Sequence, residues 1–282
     1  MKNLKMFCLS LYSHTLQNIK KLKYVPVGLG EENFSSQWFS DKTKKNISYK
    51  NRYYGEYTFH YWLWKNYLDK IPDNNWVGFC TYRRYWANNN NLNSEQLTKK
   101  VNNKNFQSLV LNKINSKWKD YDAILGEEKF VNKIKFMKII KNGGLLSILR
   151  NIKCFAKNDG NIKFHFDVFH GNGFIDKAVK VMDGKERDDF KNYINTNKSF
   201  ARDNLFICRS KKVLNFYYKS VFRWLNRCED IFGFNLHKWH QVRIYGFLAE
   251  RYLGYWFKKY TNSIEWPIIF FDTHKKKLNY KI

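Results

Sequence analysis

The stretch Trp76-Val-Gly-Phe-Cys-Thr-Tyr-Arg-Arg-Tyr-Trp86 sets an apolar run directly against two arginines fenced by aromatics. Trp76 to Cys80 is short and apolar and follows the turn-forming Pro72-Asp-Asn-Asn75, the pattern of a buried strand. Lys5 to Tyr12 reads as an earlier buried strand, followed by a polar loop through His14. Between them Tyr54 to Leu68 carries aromatics nearly all round, as a helix packed on more than one side does. Strand, helix and strand in this order predict an α/β layer fold with a parallel sheet. The strand end is then the pointed feature. Arg83 and Arg84 on a solvated face would leave the aromatic fence without a purpose, whereas an anion held in a cleft accounts for fence and strand end together. The structural alternative, an arginine pair neutralising nearby carboxylates, is equally open from these residues alone.

Further along, Ala123 to Leu125 and Leu205 to Cys208 read as short strands, the latter after Asp203-Asn204. Ser210 is a candidate N-cap for a helix whose Leu214, Tyr217, Val221, Trp224 and Cys228 recur at core-facing spacing. Val242, Tyr245, Ala249, Tyr252 and Trp256 repeat the pattern in a last long helix. Ile268 to Phe271 suits a closing strand, and no internal repeat or long linker interrupts the chain.

At 282 residues with 44% hydrophobic content, the chain can bury a full core. No apolar run is long enough to span a membrane. The amino-terminal MKNLKMFCLSLYSHT turns polar too soon for a signal peptide and reads as a first core strand. Five widely spaced cysteines, without C-x-x-C spacing, suit reduced buried thiols in a cytoplasmic protein. The formal charge of +27 comes from 40 lysines and 11 arginines against 24 acids. With abundant asparagine, part of that excess is what an AT-rich coding sequence writes by default. The remainder attracts polyanions, whether nucleic acid, anionic lipid or phosphorylated small molecules. From Val131 to Asn158 there are seven basic residues and no acid, around "GGLLSILRNI". Such a segment suits the surface of an anionic bilayer or a solvated helical insertion.

Hydrolase elbows, P-loops, dinucleotide fingerprints and zinc motifs are absent. Three clusters remain. Asp41, Asn46, Ser48 and Lys50 could hydrogen-bond a nucleoside and offset phosphate charge, or form a capping turn. Tyr82-Arg-Arg-Tyr85 could grip a phosphate bidentately, with a tyrosine stacked alongside. Later in the chain, His165, His170, Asp167, Asp176, Asp203 and Glu250 are candidate bases, while Glu250-Arg251 could instead be a buried ion pair bracing the final helix.

These clusters fall into an ordered series: Asp41, Asn46-Ile-Ser48, Lys50-Asn51, Glu56, Thr58, Tyr61-Trp-Leu-Trp-Lys-Asn66, Val77-Gly78, Tyr82-Arg-Arg-Tyr85, Asn204-Leu-Phe-Ile207 and Gly246-Phe-Leu-Ala-Glu-Arg251. In order and spacing the chain resembles a family of bacterial glycosyltransferase-like proteins found in capsular and exopolysaccharide loci. Thr81 stands where that family usually has histidine, Leu205 where it has methionine, and Tyr252 where it has leucine. The threonine removes any histidine chemistry at that position. His170 looks like the family histidine that precedes an acidic residue, with looser spacing.

The resemblance implies an α/β fold of the GT-A type, a Rossmann-like mixed central sheet flanked by helices. It implies one domain, with a nucleotide-sugar half at 1–128, a basic, membrane-facing insertion at 129–160 and an acceptor half at 161–282. A cytoplasmic, peripheral enzyme would move a sugar from a nucleotide donor, UDP-linked by expectation, to a surface glycan or lipid-linked acceptor. His14, Asp41, Asn46, Ser48, Lys50, Asn51, Tyr82, Arg83, Arg84 and Tyr85 would hold the donor. Asn204, Arg243 and Arg251 would hold the acceptor, and His170, Asp176, Asp203 or Glu250 would be the base of an inverting reaction. GT-A enzymes commonly end a central strand in D-x-D, which holds a divalent ion. Here that place has Tyr-Arg-Arg-Tyr, so the arginines are expected to neutralise the diphosphate, with Asp122 on the next strand the remaining candidate for Mn or Mg. The competing classes are a nucleic-acid binder, although the basic residues form no recognisable module, and a non-catalytic scaffold of a capsule assembly complex.

Overall fold

The computed structural model describes residues 3–73, 75–132, 148–149, 152–157 and 159–275. Most of the basic 131–158 segment therefore lies outside the described residues, and so does the bilayer contact expected of it.

The first strand, β1 (Leu4–Ser10), pairs in parallel with β2 (Val25–Gly28) on one side and β4 (Trp76–Thr81) on the other. The two-residue β3 (Phe39–Ser40) extends the sheet beyond β2. On the other flank β9 (Phe206–Cys208) runs antiparallel between β4 and β6 (Ala123–Gly126), and β10 (Ser263–Trp266) closes that edge parallel to β6. β5 (Arg84–Trp86) folds back antiparallel on β4 and pairs in turn with β11 (Ile268–Phe270). A separate ribbon joins β7 (Glu128–Phe130) to β8 (Ser199–Ala201). The expected mixed central sheet flanked by helices is present, and strands from before 128 and after 161 interleave within it.

The apolar runs follow from burial on both faces. Phe7, Leu9, Val77 and Phe79 point into one core, while their neighbours Met6, Cys8, Trp76 and Cys80 point into the other. The first core is sealed by α3 (Tyr57–Asn66), α7 (Gly184–Thr196), α8 (Lys211–Phe232) and α9 (Ile244–Tyr260). The second lies under α1 (Leu16–Lys21) and α4 (Ser94–Lys100). As expected, Ser210 caps α8, its hydroxyl accepting from the Lys212 N–H at 3.2 Å, and Leu214, Tyr217, Val221, Trp224 and Cys228 are all buried. Trp76, Trp86, Trp118, Trp256 and Trp266 are among the most deeply buried side chains. Four of the five cysteines are buried as free thiols, with Cys154 partly exposed.

The continuous helix expected over Tyr54 to Leu68 is broken. α2 (Asn51–Tyr54) ends at Gly55, whose φ of +56° needs glycine, and α3 begins beyond it. A Cβ at position 55 would lie 2.1 Å from Nη2 of Arg243, so this glycine also makes room for an arginine arriving from the start of α9. Nothing in the aromatic periodicity announced that approach.

Candidate functional site

The carboxyl ends of β1 and β4 open onto a cleft of about 530 Å³. From β1 the chain leaves toward β2 on one side and returns as β4 on the other. Such a switch point leaves a crevice at strand ends, where α/β folds bind ligands. Leu9, Ser10 and Thr81 line it from the strands, Asn51, Arg52 and Glu56 from the α2–α3 segment, and Asp203-Asn204 from the turn before β9. Arg243, Phe247 and Glu250 close it from the start of α9.

Arg83 and Arg84 stand on the rim because β4 reverses at once: Thr81 already pairs with Arg84 across the turn Tyr82-Arg83. The turn is braced from three directions. The Tyr82 N–H donates to the Leu9 carbonyl at 3.0 Å, and the Tyr82 carbonyl accepts from the Thr273 N–H at 3.2 Å and the Tyr85 hydroxyl at 2.9 Å. The Arg83 carbonyl accepts from the Phe271 N–H at 3.1 Å. The aromatic fence thus has a mechanical purpose: Tyr85, fully buried, pins the turn from below and stays out of the cleft. Tyr82 lines the cleft and packs edge-on against Tyr12 at 5.2 Å. Arg83 is exposed and makes no ion pair among the described residues. Arg84 pairs through Nε with Asp203 Oδ2 at 3.1 Å, its guanidinium 4.1 Å over the Phe270 ring.

Asp203 and Asn204 both adopt left-handed backbone, φ +74° and +52°, a conformation that costs non-glycine residues on the order of 1 kcal/mol or more each. Two bonds hold the turn. The Asp203 N–H donates to Glu250 Oε1 at 2.7 Å, and Asn204 Nδ2 donates to the Gly246 carbonyl at 3.2 Å. The Asn204 amide oxygen, buried at the cleft, has no hydrogen-bond partner.

Behind Glu250 lies a buried guanidinium. Arg251 Nη1 donates to Glu250 Oε2, while Nη2 reaches His165 Nδ1 at 3.2 Å and His170 Nε2 at 3.1 Å. Its central carbon lies 4.3 Å from the centre of the Phe200 ring. Arginine only donates, so both imidazole nitrogens accept and those rings carry their protons on the other nitrogen. Burial, with Arg251 and Arg202 adding to it, drives the His165 pKa down to about 3. Burial raises the Glu250 pKa above the ordinary carboxylate value, against the pull of Arg251 and the Asp203 N–H. The cleft therefore holds one carboxylate with fixed orientation and heightened basicity.

Of the remaining expected site residues, Arg243 alone also lines the cleft. His170 on α5 (Ile162–His170) stacks at 3.9 Å on Phe247, which places it one layer behind the cleft wall. Arg251 lies in that same layer and does not line the cleft. Asp176 on α6 (Phe174–Lys180) is remote and pairs with Lys163 at 3.1 Å. Asn46 accepts from the Ser48 hydroxyl at 2.8 Å and N–H at 3.2 Å, closing the capping turn that was the alternative for that loop. Lys50 Nζ contacts both oxygens of Glu229 at 2.7 Å, tying α2 to α8. Asp41 is fully buried, burial raising its pKa against the Thr58 hydroxyl. His14 sits outside the cleft, its Nε2 3.0 Å from His274 Nδ1. Asp122 precedes β6, which runs parallel to β4, so it lies at the opposite sheet edge and accepts from the Asn262 N–H at 3.1 Å. Among the described residues no group of three or more His, Cys, Asp or Glu could hold a metal ion. Arg243 lines the cleft and pairs with Glu56 at 2.9 Å. Arg52, Phe247 and His237 line it without having been expected. Arg52 and Phe247 sit inside or beside the motifs quoted above, the one signal that pointed to them.

A second buried histidine, His60, bonds Tyr218 through Nδ1 at 2.8 Å, and burial lowers its pKa to about 3. With His60 and His165 neutral in the fold and protonating near 6.5 when unfolded, the unfolded chain binds more protons below that value. Their contribution to stability is present above pH 6.5 and is lost as pH falls toward 3. The raised Asp41 and Glu250 oppose this slope, so the informative quantity is a difference. The melting temperature of His60→Phe should fall less than wild type between pH 7 and 5; parallel curves would show that His60 is not the proton acceptor.

The sequence profile of the family described as a domain of unknown function, DUF4422, matches residues 9–262. The chain belongs to the DUF4422 family. The match spans β1 to the end of α9 and contains every lining residue of the cleft. Among functionally curated proteins none matches this DUF4422 chain. Among solved structures, the apo form of the bifunctional glycosyltransferase WbbM superposes with a TM-score of 0.64 at 19% identity, covering 95% of this chain. It covers 45% of the WbbM chain, so the DUF4422 chain spans less than half the length of that structure. At this identity the likeness is one of fold: a mixed α/β sheet flanked by helices, shared with a glycosyltransferase. No helix among the described residues is long and apolar enough to cross a membrane.

Proposed function

We propose that this DUF4422 chain is a glycosyltransferase of GT-A type that moves a sugar from a nucleotide donor to the hydroxyl of a surface glycan. The observation that carries the reading is the braced Tyr82-Arg83 turn, which presents two guanidiniums at a strand-end switch point in the same cleft as a basic, fixed carboxylate. The cleft is lined by four arginines against three carboxylates, and Arg52 and Arg83 make no ion pair among the described residues, which favours an anionic ligand. Arg83 and Arg84 bind the diphosphate by forked hydrogen bonds and take up the charge that grows on its leaving oxygen. Glu250 accepts the proton of the acceptor hydroxyl as that oxygen attacks the anomeric carbon and the bond to the diphosphate breaks, an inverting displacement. Arg251, His165 and His170 act one step back, as positioning residues for Glu250. The basic 131–158 segment suits a lipid-linked acceptor at the inner face of a membrane.

The test is a thermal-shift and calorimetric screen of nucleotide sugars. Arg83→Ala should weaken the bound donor by about tenfold, the loss of a charge-assisted hydrogen bond worth about 1.5 kcal/mol. Arg84→Lys should also weaken it, because a point ammonium cannot fork. Unchanged affinity in both would remove the diphosphate from the hairpin. The carboxylates beside it do not suit a divalent ion: Asp203 is paired with Arg84, Glu250 with Arg251 and Glu56 with Arg243. Transfer is accordingly expected to survive a chelator, measured as product formed with and without EDTA; complete loss, restored by Mn or Mg, would contradict charge neutralisation by arginine.

A further inference from the structure

A second cavity, of about 350 Å³, adjoins the first. Arg84 and Asp203 line both, so their ion pair, 3.1 Å from Nε to Oδ2, forms part of the partition between them. Around the second cavity the charges are uneven in a specific way. Lys99 is matched by Glu95 at 2.7 Å, Arg84 is matched by Asp203, and Glu127 accepts from the Ser94 N–H at 2.8 Å. Lys129, Arg202 and the Glu127 carboxylate remain, and none of them makes an ion pair among the described residues, which leaves two cations against one acid. The Arg202 Nε is buried and has no hydrogen-bond partner. An unsatisfied guanidinium donor in a cavity wall is costly, and the same Arg202 side chain, only half-buried, lines the cavity. The Lys129 ammonium titrates below its ordinary range, first through partial burial and then through the neighbouring Arg202 guanidinium, with Asp203 and Glu95 pulling the other way.

We propose that this cavity binds an oxyanion carried on a sugar, a uronic carboxylate or a phosphate ester, gripped by Arg202 and Lys129. Resting on the transferase reading, that sugar is the part of the acceptor next to the attacking hydroxyl. The acceptor then crosses the Arg84–Asp203 pair with its hydroxyl at Glu250 and its negative charge beyond the partition. Arg84 would touch both ligands, the donor diphosphate on one side and the acceptor on the other. The enzyme would on this account select acidic acceptors.

Calorimetry on the whole chain tests this with three small probes: methyl β-glucuronide, glucose 1-phosphate and neutral methyl β-glucoside. At least one acidic probe should bind about tenfold or more tightly than the neutral one, and which of the two prevails distinguishes carboxylate from phosphate. Arg202→Gln and Lys129→Gln should each erase most of that preference and leave UDP affinity unchanged. The control Lys104→Gln, a surface lysine elsewhere, should alter nothing, separating a built site from the general attraction of a +27 chain. Equal binding of acidic and neutral probes, or a preference that survives both substitutions, would overturn the proposal. UDP binding that ignores Arg83→Ala would instead tell against the donor reading, and is measured independently of the acidic probes.

Discussion

Glu250→Gln should lower kcat by about 10²- to 10⁴-fold, the range a general base supplies, and leave donor affinity within about twofold. The substitution keeps size and shape, but the new amide meets two donors, the Arg251 Nη1 and the Asp203 N–H, with a single acceptor oxygen. Some loss of stability therefore accompanies it, and a melting curve must be recorded beside the rates. Glu250→Asp gives a second reading, since it keeps the carboxylate and withdraws it from the acceptor hydroxyl; its kcat should lie between wild type and Gln. In the wild type, the acidic limb of the kcat profile should sit above the ordinary glutamate range, because burial raises this carboxyl. If Glu250→Gln turned over within threefold of wild type, the base would have to be sought elsewhere in the cleft or the displacement would not need one.

Arg251→Met carries the largest expected cost in stability, about 3–5 kcal/mol at neutral pH, the usual penalty for stranding one partner of a buried ion pair. Arg251 is 1% exposed and serves Glu250, His165 and His170 together. The penalty should depend on pH in a defined sense. Without the guanidinium, the Glu250 carboxyl rises further and holds a proton that the unfolded chain has released, so the variant loses ground as pH increases. Relief of His165 from the arginine's charge acts in the same direction, since an imidazolium there could pair with Glu250 at low pH. The gap in unfolding free energy between wild type and Arg251→Met is thus expected to be wider at pH 8 than at pH 5. A gap independent of pH would mean the arginine acts by packing against Phe166 and Phe200 alone. Its role in transfer is one of position, and the mark of that role is an acidic limb displaced upward along with the fall in kcat.

Much of the sheet was legible because parallel strands buried on both faces write unbroken apolar runs: Lys5–Tyr12 and Trp76–Cys80 announced β1 and β4. β2, at Val25–Gly28, carries a proline and ends in a glycine, and β3 is two residues long, so neither has a pattern to detect. Gly55 shows the other limit. Its break depends on Arg243, which arrives from nearly two hundred residues away. Site residues divided along the same line. Arg83, Arg84, Asn51, Asp203, Asn204, Arg243 and Glu250 line the cleft, and they sit at strand ends, turns or helix starts where local sequence already looks unusual. Asn46, Ser48 and Lys50 occupy an equally conspicuous motif, yet their hydrogen bonds go to their own loop and to Glu229. A motif records that residues are needed together; whether they hold a ligand or each other is decided by the partners that folding delivers.

The family profile ends at residue 262, whereas the groups that clasp the Tyr82-Arg83 carbonyls are the amides of Phe271 and Thr273. A fragment trimmed to the profile would keep every residue that lines the cleft and forfeit the strap that stiffens its rim. Such a fragment would be a poor guide to the intact protein, because its arginines would have to be immobilised afresh by each ligand they met.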